Sequence, residues 1–524
     1  MSPASDYKFI AVDAVQGGAF QPASKAVRSH AIRTAIQRGE SELGASTALV
    51  SQGTIRGKAH LRGRFRLAGR AVKPENPRNQ RRKDAAEPAA PPPDVHALLV
   101  QASLPPWIQR LGSDSADPFN TLPIPSNPSV DALVKYFTTR FNLNSTTTDS
   151  KRPWFPYAMQ SALIMRTTLA LSAEFLAASM PSPDLALQRE GYLQKGEAMR
   201  MLRTRLETRE TAKRAGDDLS VLAGVAMLSS VEAFQGNFAA AETHLVGLHA
   251  MIMARGGPDT IRHDYILCRS INWMSLQVAS GLGRVPKLPM FHTLDQVSLP
   301  PSVASRAATP PLRHLDGGPA GRGAGEGEGE EPRRILTTLR QAICSQAGGV
   351  AADDIRIIMN TADNAILRFL YDERRAAAAT ATTTPVRRRF VVLVSAAHVF
   401  LYAVLREIPT TGRMARILVA RLRAALEGAD AAAALVWAPP HDVALLWVLF
   451  VGVVGSGAAG GDRAWFLSRL LGALGGVPRG AAPPGRCCTR EGLRQVLAGF
   501  LWRDKHCLPV LDDAWALWER SSIT

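Results

Sequence analysis

Apolar residues recur along most of this chain at intervals of three and four, and nowhere do they alternate with period two for long, so the pattern predicts an all-α body. The first clear helix start is Ser129, a good N-cap residue, followed by Val130, Leu133, Val134, Phe137 and Phe141 at helical spacing. Helical runs are then predicted over 156–180 and 187–214, the second charged enough to carry a solvated face. The sharpest pattern lies over 217–257. Asp217 or Asp218 caps a helix with Val221, Val225, Leu228 and Val231 on one side. Gly236 and Asn237 turn the chain, and Phe238, Ala241, Leu245, Leu248 and Met251 line a second helix that stops at Gly256, Gly257 and Pro258. This is an αα-hairpin. A third helix follows with Leu267, Ile271, Met274 and Val278 inward, ending near Gly281.

The periodicity breaks over 300–333, where TPPLRHLDGGPAGRGAGEGEGEEPRR is rich in Pro, Gly and charge and reads as a flexible linker. It resumes near Ile335, with helices predicted over 390–405, 414–426, 443–454, 465–474 and 491–502 around low-complexity inserts at 376–384 and 472–485. The domain reading is therefore a basic arm over 1–97, a first helical half over 98–299, the linker, and a second helical half over 334–524.

Charge changes the picture at one end. Residues 1–83 hold 16 Lys and Arg against 5 Asp and Glu, so this end supplies +11 of the chain's formal +17. Within it, 56–83 carries eleven basic residues and one acid, Glu75, beside a short helical pattern at 23–38. Such a composition buries too little apolar surface to offset chain entropy, so the arm is expected to be disordered in isolation. Its basic residues suit phosphates, giving salt-sensitive contact with DNA without sequence preference, and Arg78, Arg81, Arg82 and Lys83 are compact enough for the acidic groove of an import receptor. A merely solubilising role is the bland alternative.

The five cysteines, Cys268, Cys344, Cys487, Cys488 and Cys507, are odd in number in a long chain, which favours a reducing compartment over a disulfide framework. No basic and apolar leader pattern opens the sequence. The uncharged stretch 443–461 has the length of a membrane span, but its second half is Gly and Ala and Asp442 and Asp462 bracket it, so a buried helix and turn is the better reading and no membrane partner is expected.

Gly455, Gly457 and Gly460 form G-x-G-x-x-G between an apolar run and a helical segment, the order a dinucleotide cradle needs. The second apolar strand ending in an acid about 20 residues on is replaced by a Gly- and Pro-rich stretch, so an interhelical loop explains the glycines better. His244 and His249 are five apart and fall on different helix faces, and Cys487, Cys488, Cys507 and His506 form a ligand set only on paper. Trp447, Trp465, Phe466, Phe500 and Trp502 sit on apolar faces and read as core. No catalytic residue, metal or cofactor is assigned.

The stretch 236–257 (GNFAAAETHLVGLHAMIMARGG), Ile271, Asn272 and Trp273 with PKLP at 286–289, and LLWVLFVG and DRAWFLSRL within 445–470 resemble the regulatory domain of fungal-specific transcription factors. So do DPFNTLPIP at 117–125 and AVRSHAIR at 26–33, and the likeness runs in order from Phe9 to about Trp518. The resemblance implies an all-helical regulatory domain, acting in the nucleus through proteins of the transcription machinery. In that family it usually follows a cluster of two zinc ions held by six cysteines. Residues 1–267 contain no cysteine, so sequence reading by such a head is not expected of this chain, and Ser275 stands where many relatives have an acid. The leading expectation is a regulator working through its helical body. The alternatives are a helical interaction scaffold without a role in transcription and a nucleotide-dependent enzyme using Gly455, Gly457 and Gly460.

Overall fold

The computed structural model describes residues 121–139, 153–180, 182, 184–207, 218–308, 329–371, 385–430, 437, 442–457, 461–475 and 489–521. The chain divides into two units, Met1–Ala89 and Ala90–Thr524, and every described residue belongs to the second. The basic arm, including Arg78, Arg81, Arg82, Lys83 and the pattern at 23–38, lies outside the described residues, as do Cys487 and Cys488.

Among the described residues there is no strand; sixteen α-helices account for the fold, as the periodicity predicts. They are α1 (Pro128–Thr139), α2 (Trp154–Ala158), α3 (Ala162–Ser179), α4 (Leu185–Leu206), α5 (Leu219–Phe234), α6 (Phe238–Ala254), α7 (Tyr265–Leu282), α8 (Pro301–Ala307), α9 (Glu330–Ala347) and α10 (Ala352–Tyr371). They continue as α11 (Pro385–Phe400), α12 (Arg413–Asp430), α13 (Asp442–Gly455), α14 (Gly461–Gly475), α15 (Arg490–Ala498) and α16 (Asp504–Ser521).

The αα-hairpin at α5 and α6 follows its expected limits. Asp218 Oδ1 accepts the Ser220 amide at 2.8 Å and so caps α5, and Gly236 turns the chain with φ 82°, a left-handed conformation that glycine adopts without a Cβ penalty. Every residue from 221 to 233 is buried, so α5 is enclosed on all sides rather than on the one expected face. Helix α7 is likewise enclosed, with 267–281 buried without interruption. It packs on α5 and α6 from the first half and on α10 and α12 from the second, and one continuous apolar core runs from Ile124 to Ala514.

Several boundaries differ from the sequence reading. The cap of α1 is Asn127, whose Oδ1 accepts the Val130 amide at 2.9 Å, because Pro128 has no N–H to satisfy and suits the first helical position better than Ser129 suits the cap. The run expected over 156–180 breaks at an extended Ser161. Trp154 on α2 donates its indole N–H to Thr168 on α3 at 2.9 Å, whereas an unbroken helix would hold them about 21 Å apart. At the start of the expected linker, 301–307 is α8, held by buried Val303 and Ala307 against α9; residues 309–328 lie outside the described residues.

The apolar run at 443–454 is helix α13, so no strand leads into Gly455 and Gly457, and a dinucleotide cradle is not formed there. Gly455 has a packing role instead. A Cβ on it would lie 2.3 Å from Val399 Cγ1, so its bareness lets α13 close on α11. Trp447 and Phe466 are fully buried and Phe500 nearly so, with Trp465 and Trp502 partly buried against them, as expected for core. By length and composition Ala162–Ser179 and Pro385–Leu405 could cross a membrane, yet 67% and 89% of these stretches is buried within the chain's own helices.

Candidate functional site

Helix α7 has two faces of different character, and both gather polar groups. Its inner face meets α10, α11 and the π turn Leu401–Leu405 that extends α11. There Asp363 on α10, fully buried, accepts a 2.8 Å charge-assisted bond from Arg406 Nη2, and the same nitrogen donates to Asn360 Oδ1 at 3.1 Å. Tyr402 Oη lies 3.1 Å from Asp363 Oδ2 and 2.9 Å from Ser280 Oγ, and its one proton serves either. His398 Nε2 stands 3.2 Å from Asp363 Oδ1 and 3.1 Å from Ser280 Oγ.

The fully buried guanidinium of Arg406 is also stacked on aromatic rings, with Cζ 4.3 Å from the Trp273 centroid and 5.0 Å from that of Tyr402. Its Nε and Nη1 have no hydrogen-bond partner among the described residues, and the ring faces supply the remaining attraction. Burial, and then the Asp363 charge, push the Tyr402 hydroxyl well above the usual phenol range, so Tyr402 is a neutral donor here. The cluster ties α7 to α10 and α11. Ser280, Asp363, His398, Tyr402 and Arg406 are all at most 2% exposed, and their chemistry is that of an internal clasp.

The outer face of α7 forms a groove with α6 and the segment 284–288, with a cavity of about 180 Å³. The two helices run antiparallel: the Phe238 ring at the start of α6 occupies the place a Cβ on Gly281 would take at the end of α7. The middle of the groove is apolar, formed by Leu245, Val246, Val278, Ala279 and Leu288. At one end Glu242 binds both Arg284 and Lys287, the latter at 2.8 Å, and these bonds hold its carboxyl below the usual carboxylate range. The other end holds His249 and Ser275. Ser275 is only 4% exposed, and its Oγ makes no hydrogen bond among the described residues. Next to the groove α6 presents Val246 and Met253 to solvent at 53% and 52% exposure.

The structure therefore separates the two histidines named in the sequence, placing His249 at the groove and His244 half-buried, where burial lowers its pKa. Cys507 is buried in the core, its thiol pushed up to about 12 by burial, and His506 instead faces Glu407. Among the described residues no three or more His, Cys, Asp or Glu side chains gather where they could hold a metal. The clasp was missed by sequence reading because its members lie as far apart as residues 273 and 406.

Residues 133–294, which run from α1 to the segment after the groove, match the profile of the fungal specific transcription factor domain. No curated protein and no solved structure matches the chain at a significant level.

Proposed function

We propose, taking the fungal specific transcription factor domain at 133–294 as premise, that this chain regulates transcription in the nucleus through contacts of its helical body with proteins of the transcription machinery. The match is the observation that carries the reading, and its support is physical as well: the groove is built entirely from that segment, and helix α7 within it carries Trp273 and Ser280 into the clasp. The chain acts by contact rather than by making or breaking bonds. The basic residues of 56–83 contact DNA through its phosphates, in a salt-sensitive mode without base preference. Arg78, Arg81, Arg82 and Lys83 serve import, phosphate contact, or both.

Chromatin occupancy mapping of the tagged chain, with transcript profiling after deletion, tests this. The expected result is occupancy at regulated loci, lowered when Arg78, Arg81, Arg82 and Lys83 are all replaced by Gln. A protein confined to the cytosol, with transcripts unchanged on its deletion, would overturn the proposal and leave an interaction scaffold.

A further inference from the structure

The groove between α6 and α7 has the layout of a ligand site with two unlike ends. Seven residues separate Glu242 from His249 on α6, a rise of about 10 Å. The antiparallel packing sets the ends apart: Glu242 meets Arg284 and Lys287 beyond the end of α7, while His249 and Ser275 lie toward its middle. At the first end two cations share one carboxylate, which leaves one positive charge in excess, with Lys287 exposed and Arg284 and Glu242 partly buried. The second end holds Ser275, which lines the cavity on a residue only 4% exposed and makes no hydrogen bond to protein among the described residues, so its hydroxyl is open to whatever fills the groove. Between them the walls are aliphatic.

We propose that this groove binds a small monocarboxylate about 10 Å long, with its anionic end at Arg284 and Lys287, an aliphatic middle on Val278 and Leu288, and a hydroxyl or carbonyl at Ser275 and His249. The cavity of about 180 Å³ is smaller than the roughly 300–1,000 Å³ of sites for drug-sized ligands, which limits the occupant to a short molecule. Excess positive charge selects a carboxylate over an amine. Hydrogen-bonding capacity at the far end selects an oxygen-bearing terminus over a plain alkyl one, because an alkyl end would displace water from the Ser275 hydroxyl without replacing its hydrogen bond.

Calorimetric titration of the purified full chain with ω-hydroxycarboxylates, from ω-hydroxybutanoate to ω-hydroxydodecanoate, reads the geometry directly. Affinity should peak near ω-hydroxyoctanoate, and its methyl ester should bind more weakly. Lys287→Met, at an exposed position, should weaken binding about tenfold, and Ser275→Ala about two- to tenfold. Neither change removes a packing group, so both variants should keep the wild-type melting temperature. Two results would overturn the site: no saturable binding of any member of the series, or affinity that rises steadily with chain length and ignores both substitutions. The second would mark the apolar face of α6 at Val246 and Met253 as a surface for a protein helix instead. Since binding is read on the isolated chain, its failure is distinct from failure of the regulatory reading, which is tested on chromatin.

Discussion

The two faces of α7 carry serines five residues apart that have opposite fates. Ser280, on the inner face, is within hydrogen-bond distance of Tyr402 and His398, and all of them surround the buried Asp363. Ser275, on the outer face, is almost as buried and has no partner among the described residues. Burial alone thus does not distinguish a structural polar group from one kept for something else. The presence of a protein partner does: Ser280 is held by Tyr402 and His398, whereas the Ser275 hydroxyl opens on the groove and is left to solvent.

The strongest way to break this contrast is to remove the charge at the centre of the inner face. Asp363→Leu leaves the Arg406 guanidinium buried without its counter-ion and should cost about 3–5 kcal/mol in denaturant unfolding, and the double change with Arg406→Leu should recover much of that. A single-variant cost under about 1 kcal/mol would show that the stacked rings of Trp273 and Tyr402 alone satisfy the cation. The same serine substitution on the two faces is the sharper comparison. Ser280→Ala should cost about 1–2 kcal/mol, since Tyr402 and His398 lose one partner and keep Asp363.

The acid limb of stability supplies a smaller effect. Burial would raise the Glu407 carboxyl, but the bond from Lys505 and the charges of His506 and Arg503 outweigh it and hold it below the usual range. A carboxyl with a lowered folded pKa contributes stability that is present above its unfolded value of about 4.3 and is lost as the pH falls through the folded one. Glu407→Gln should therefore flatten part of the loss below about pH 4.3, by no more than about 1 kcal/mol for ion pairs this accessible to solvent. Smallest of all, Ser275→Ala should change stability by less than about 0.5 kcal/mol, in either direction, because no bond is lost. A cost comparable to that of Ser280→Ala would erase the distinction between the faces.

Local signals were legible where they act locally. Asp218, Gly236 and the apolar spacing between them marked the α5–α6 hairpin because a cap and a left-handed turn are made by residues next to each other in the chain. The cap of α1 was misplaced by two positions, since Pro128 moves it to Asn127, and the break at Ser161 goes with a bond of Trp154 to Thr168 that helical periodicity alone does not reveal. The clasp was not legible at all. Asp363 and Arg406 are charged residues in helical segments, and charge in such a pattern reads as a solvated face until the fold brings Ser280 and Trp273 against them. The groove was half legible: its residues were placed on two helices, but their antiparallel pairing comes from Phe238 seating against Gly281.

The wider turn at Leu401–Leu405 inserts an extra residue into an otherwise regular spiral. Each residue of an α-helix advances the side-chain direction by about 100°, so shortening this turn by one position would swing Arg406 a quarter-revolution or more away from Asp363 and Trp273. Loss of a single codon there, with composition and hydropathy essentially unchanged, would do more harm than most missense changes on the surface. Insertions in the loops that join the helices should by contrast be absorbed with little consequence.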